Sequence, residues 1–158
     1  MEKMVRNGLA AAVALLFTAC PGPAQISEGP PSGLFDGKAW TMVKASVTRD
    51  GDTLSVHLFG EEVADCASFP PSESTTGYVM WSMPAVEGSR PLKFDLFKLD
   101  DPATQTVTFV TPPSNNNIAV EGRIEVRELT DTTVDLGLMV EAGEGFELDG
   151  SVSTTLCE

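Results

Sequence analysis

Positive charge is scarce in this chain. Ten Lys and Arg face 23 Asp and Glu, giving a formal net charge of −13 with the single histidine neutral. Binding phosphate requires clustered Lys or Arg, so this balance excludes nucleic acid as a partner class and disfavours anionic lipid heads. The excess of carboxylates reads as a solubility device. Histidine is reduced to His57, which in a strand shares a face with Ser55 and Phe59, opposite Leu54, Val56 and Leu58. A nucleophile relay needs a base beside a serine or cysteine, with a third group orienting it. Ser55 and Ser68 are the nearest hydroxyls in sequence, but no Gly-x-Ser-x-Gly elbow exists, and residues two apart on a strand fit that geometry poorly. His57 is therefore expected to be solvated or structural.

Other chemistries lack their signatures too. Gly143-Glu144-Gly145 would set a carboxylate where a phosphate cradle needs bare amides. The pairs Asp50/Asp52 and Asp100/Asp101 do not supply the converging oxygens of a calcium loop, and turn chemistry already accounts for Asp50-Gly51. Trp40, Tyr78 and Trp81 suggest an aromatic platform, yet Tyr78 and Trp81 differ in parity and point to opposite faces of a strand. Core packing is their expected role. No catalytic residue, cofactor or metal ligand is assigned.

What the chain does have begins at its start. Lys3 and Arg6 precede an apolar stretch from Leu9 to Ala19, and Phe17-Thr18-Ala19-Cys20 closes it with small residues before a cysteine. That stretch is about half the roughly 20 residues that cross a bilayer, so it reads as a cleaved segment. The layout resembles the export signal of bacterial lipoproteins. The resemblance implies a signal peptide over 1–19 and an N-terminal cysteine, Cys20, whose thiol carries diacylglycerol and whose amine is acylated. Several acyl chains exceed the single chain that anchors only marginally. Pro21, standing where enteric lipoproteins use aspartate for inner-membrane retention, favours the outer membrane. Residues 20–32, Cys20 followed by PGPAQISEGPPS, are expected to form a semi-extended tether of about 40 Å.

From Gly33 the hydrophobic period is two, which predicts one all-β domain over 33–158. Ile118, Val120, Gly122, Ile124 and Val126 are expected on one face, with Glu121, Arg123, Glu125 and Arg127 on the other. After Thr130-Asp131-Thr132, residues Val134, Leu136, Leu138 and Val140 alternate, and Phe146, Leu148, Gly150, Val152 and Leu156 repeat the pattern. These three segments predict an antiparallel meander. Asp50-Gly51 predicts a tight hairpin between strands at 39–48 and 53–59. Further strands are expected at 76–83, 92–99 and 105–110, with Ser114 to Asn117 as a separator and one helical turn over 61–68. About eight short strands suggest an antiparallel β-sandwich or a small β-barrel.

Three cysteines in an exported chain leave an odd one unless lipid consumes it. With Cys20 acylated, Cys66 and Cys157 are expected to pair as one disulfide. Gly33-Leu34-Phe35-Asp36-Gly37-Lys38-Ala39-Trp40, and Leu148-Asp149-Gly150-Ser151-Val152 before Cys157, resemble the two ends of small predicted lipoproteins of Gram-negative bacteria. That likeness covers the signal and both ends of the domain, leaves the middle unmatched, and implies no reaction or ligand. The function expected is that of a non-catalytic, membrane-anchored envelope lipoprotein that binds a protein or envelope component. A barrel-type carrier of a small apolar ligand, or a carboxylate-dependent hydrolase, would need a hollow interior or an open cleft.

Overall fold

The computed structural model describes residues 24–94, 97 and 104–157. The expected signal segment, Cys20 and the Asp100/Asp101 pair lie outside the described residues. Within them the chain forms eleven strands: β1 (Ser32–Phe35), β2 (Lys38–Thr41), β3 (Lys44–Asp50), β4 (Thr53–Phe59), β5 (Tyr78–Pro84), β6 (Gly88–Pro91), β7 (Val107–Thr111), β8 (Asn115–Ala119), β9 (Glu121–Leu129), β10 (Thr133–Glu141) and β11 (Phe146–Cys157). No helix is present among the described residues. Nine strands follow one path, β6-β9-β10-β11-β3-β4-β5-β7-β8, curled into a half-barrel, while β1 pairs with β11 and with β2.

The curl turns on β11. Phe146 to Asp149 pair with β1 and Glu147 to Thr155 with β10, whereas Leu156 and Cys157 run parallel to Val47 and Thr48 of β3. A twelve-residue strand thus belongs to both halves of the sheet. Every other named pairing is antiparallel.

Local chemistry closes the hairpins. Asp50 pairs with Thr53 around Gly51, whose φ of 56° is one that a residue without Cβ adopts freely. At the β9–β10 turn the Thr130 hydroxyl accepts from the amides of Thr132 and Thr133. The meander β9–β10–β11 forms as its alternation predicts, with Leu136 opposite Val126 and Val152, and Leu138 opposite Ile124 and Gly150. Arg123, Glu125 and Arg127 line the outer side and pair along the strand.

Inward rows from both halves make one core. Val47, Leu54, Val56, Leu58, Val79, Val107, Phe109, Ile124, Leu136 and Leu138 are all 0% exposed. Burying one such side chain contributes about 1.5–3 kcal/mol, so this interior is the main stabilising feature. Phe35, Trp40, Phe109 and Phe146 cluster where β1 and β2 meet β7, with ring centroids 5.5–5.8 Å apart. Trp40 donates from Nε1 to the carbonyl of Gly77. The rings reach that far only because Gly77 lacks a side chain, since a Cβ there would lie 2.0 Å from Phe35.

Several expectations are corrected. The run 118–126 does not keep one face: Ala119 is buried, Val120 interrupts the strands, and Ile118 and Val120 are each 42% exposed while Ile124 and Val126 are buried. The chain passes from β8 at one end of the path to β9 near the other, and this crossing resets the parity. Asn115–Asn117 belong to β8, paired with β7, instead of separating strands; the ladder overrides the weak β preference of asparagine. Segment 39–48 is split between β2 and β3, where the amides of Met42 and Val43 bond to Pro31 and Phe59. Residues 61–68 form no helical turn, only a tight turn from Ala64 to Ala67 with Cys66 at φ 60°. Of segment 92–99, the described part shows only a bridge between Lys93 and Gln105. The count of about eight strands is low because β1, β6 and β8 are short.

Residues 26–32, expected within the tether, lie on the domain. Ile26 is 6% exposed and rests against Gly137. The amide and hydroxyl of Ser27 donate to the carboxylate of Asp149, at 2.9 and 2.5 Å. Arg127 pairs with Glu28, Ser151 donates its amide to the Gly29 carbonyl, and Gly150 leaves room for Pro31. The compositional reading failed here because one isoleucine and a few polar groups suffice to dock a strap onto a sheet already formed.

Candidate interaction face

β4 points Leu54, Val56 and Leu58 inward, so Ser55, His57 and Phe59 look outward. Register extends these into rows. Ser46, His57, Met80, Thr108 and Ile118 lie side by side, and next to them Lys44, Phe59, Tyr78, Val110 and Asn116. On a chain of net charge −13, these ten positions carry one charge, Lys44.

Phe59 is only 1% exposed although it faces outward. The loop 60–77 covers it. That loop is held at its middle by the Cys66–Cys157 disulfide, with Cα atoms 5.6 Å apart, as cysteine parity predicts. Lys44 donates to Asp65 at 2.5 Å beside it, Ser74 donates to Glu61, and Phe69 lies against His57 with centroids 6.3 Å apart. Cys157 sits 3.8 Å from the buried Ser46 hydroxyl. The disulfide therefore ties the loop to the end of β11, beside β3, and so helps to build a second small apolar layer.

Ionisable groups respond accordingly. Burial lowers the pKa of His57 from 6.5, favouring the neutral ring, which stacks on Phe59 with centroids 6.3 Å apart. Hydrogen bonding and charge from Asp65 raise Lys44, and the same pair lowers Asp65. Burial raises Tyr78, whose ring stacks on Phe59 at 5.9 Å. His57 makes no hydrogen bond among the described residues, so neither Ser55 nor Ser68 forms a relay with it. Beyond Tyr78 a cleft of about 300 Å³ opens between Pro70 to Thr76 and the Val110 to Ser114 turn. Phe69, 67% exposed, stands on the covering loop.

The remaining residues singled out from sequence scatter. Trp40 and Trp81 are buried and Tyr78 faces outward, so the three do not share a platform. Asp50 and Asp52 sit in the β3–β4 turn, where the Asp52 carbonyl accepts from Ala85. Among the described residues no group of three or more His, Cys, Asp or Glu is arranged to hold a metal. On the other outer face, Glu121, Glu141 and Glu147 stand in one cross-strand row beside a shallow cleft that Asp149 also borders.

This outer face escaped sequence reasoning because its rows join residues from five strands, β3, β4, β5, β7 and β8. One signal was legible: Phe59 is apolar yet shares parity with Ser55 and His57, so its strand needed cover on both sides. The fold is that of an all-β domain closed by one disulfide. Comparison with protein-family models, curated proteins and solved structures returned no match.

Proposed function

We propose that the chain is a non-catalytic lipoprotein of the bacterial envelope, anchored by acylated Cys20, most simply in the outer membrane, whose β domain binds a protein or envelope component. The single observation that carries the binding role is the partly apolar outer face of β3, β4, β5, β7 and β8, on which Lys44 is the one charged position of ten. Its covering loop is pinned by a disulfide. A bond of that kind persists in oxidising compartments, in keeping with an exported chain. We read the architecture as a filled sandwich. Its inward side chains are 0–2% exposed at most positions, and the clefts beside Tyr78 and Glu141 open on outer surfaces, which favours a binding surface over an interior ligand.

Two measurements test this reading. Mass spectrometry of the mature N-terminus reports the anchor: acylated Cys20 is expected in wild type, and an unmodified N-terminus refutes it. Affinity capture from detergent-solubilised envelope, repeated with Tyr78→Lys, tests the face. A stoichiometric partner lost in the folded variant is the expected result, and capture unaffected by the substitution moves binding elsewhere.

A further inference from the structure

Among the described residues, three strands are bonded on one side only: β2, β6 and β8. An open edge presents unpaired amides and carbonyls that template another strand, and native sheets blunt it with charge, proline or short length. Two of these edges are blunted. β2 is four residues long and carries Lys38. β6, equally short, carries Arg90 and Pro91, and Arg90 folds onto the carbonyls of Gly88 and Val86.

β8 is different. Its sequence, Asn115-Asn116-Asn117-Ile118-Ala119, has no charge, proline or glycine. No backbone bond on its outer side occurs among the described residues. Two large hydrophobics, Ile118 and the adjoining Val120, are each 42% exposed there. The neighbouring outward side chains of β7 and β5, Thr108, Val110 and Met80, are uncharged as well.

We propose that β8 is a self-association edge, at which a second copy of this chain adds its own β8 antiparallel about a two-fold axis through Asn117. Pairing of this kind is isologous, so one short edge supplies both halves of the contact. Asn117 faces Asn117, Asn116 faces Ile118 and Asn115 faces Ala119. Paired amides and an exposed isoleucine meet without any charge. That matters for a chain of net charge −13, because copies repel at long range and can approach only through an uncharged surface. Salt should therefore strengthen the association, the reverse of its effect on a contact between opposite charges. Five residues per copy form an interface below the roughly 1,000 Å² of stable complexes, so the association is expected to be weak and reversible.

The test is cross-linking of the full chain carrying Asn117→Cys, read as a doubled mass on a non-reducing gel, with Lys38→Cys and Ser89→Cys on the other edges as controls. Peptide mapping confirms that Cys66 and Cys157 remain paired in each and that the cross-link joins the introduced thiols, with products linked through Cys20 left out of the rates. We expect the Asn117 variant to cross-link at least tenfold faster than the controls, faster in 0.5 M than in 0.05 M salt, and to slow at least tenfold when Ile118→Lys guards the edge. Equal rates at all three edges, or a cross-link to a protein of different mass, overturns the proposal. Neither result bears on acylation of Cys20.

Discussion

Removing the disulfide by Cys66→Ser with Cys157→Ala acts on two levels that can be measured apart. The bond closes a loop with a sequence separation of 91. In the chain-entropy model such a closure stabilises the fold by about 4.6 kcal/mol at 25 °C, through the unfolded state. At roughly 2–4 °C per kcal/mol, the melting temperature should fall by about 9–18 °C. Urea titration followed by tryptophan fluorescence reads this through Trp40 and Trp81, both buried. The second level is local. Phe59, now 1% exposed, owes its cover to the loop 60–77, so limited proteolysis should cut that loop in the double variant under conditions where wild type survives. A stability loss below about 1 kcal/mol would refute the entropic estimate. A loop equally protected in both proteins would refute the view that the disulfide holds it on the sheet.

Protonating His57 must charge a partly buried ring, and its folded pKa lies below the unfolded 6.5, so the unfolded chain binds the extra proton more readily. Stability should fall as pH drops below 6.5 through the folded value, and His57→Gln should flatten that slope in urea titrations between pH 7.5 and 5. Gly122 has φ 111°, and a Cβ there would lie 2.0 Å from the Met139 carbonyl oxygen, so Gly122→Ala should destabilise by about 2 kcal/mol or more in the same assay. Leu136, fully buried, should cost about 3–5 kcal/mol on replacement by alanine, with a smaller value indicating a core able to collapse around the gap. Ile26→Ala should cost about 2 kcal/mol, near the low end for a buried aliphatic side chain, and should expose residues 24–31 to protease; an unchanged cleavage pattern would show that the strap's polar contacts suffice without it.

Strand content was legible because alternation reports burial directly. In β10, Val134, Leu136, Leu138 and Val140 are buried, and Thr133 and Glu141 bound them with polar ends. The same reasoning failed at Ile118 to Val126, where a real alternation is interrupted at Val120 by a crossing that no local pattern marks. It failed at Ile26, whose burial depends on a glycine 111 positions away, and at Asn115 to Asn117, whose strand exists only because β7 offers a ladder. The outer face was the least legible part. Its rows bring Ser46, His57, Met80, Thr108 and Ile118 together, each contributed by a different strand.

The sequence by itself determined the all-β class, the hairpin at Gly51, the meander of β9 to β11 and the pairing of Cys66 with Cys157, because each depends on residue alternation, turn stereochemistry or cysteine parity. Tertiary structure alone decided that β11 joins both halves of the curl, that a disulfide lays the loop 60–77 over Phe59, and that β8 is a bare edge among the described residues. Strand order and cover are set by which surfaces meet across long loops, and a period of two carries no information about which neighbour a strand will choose.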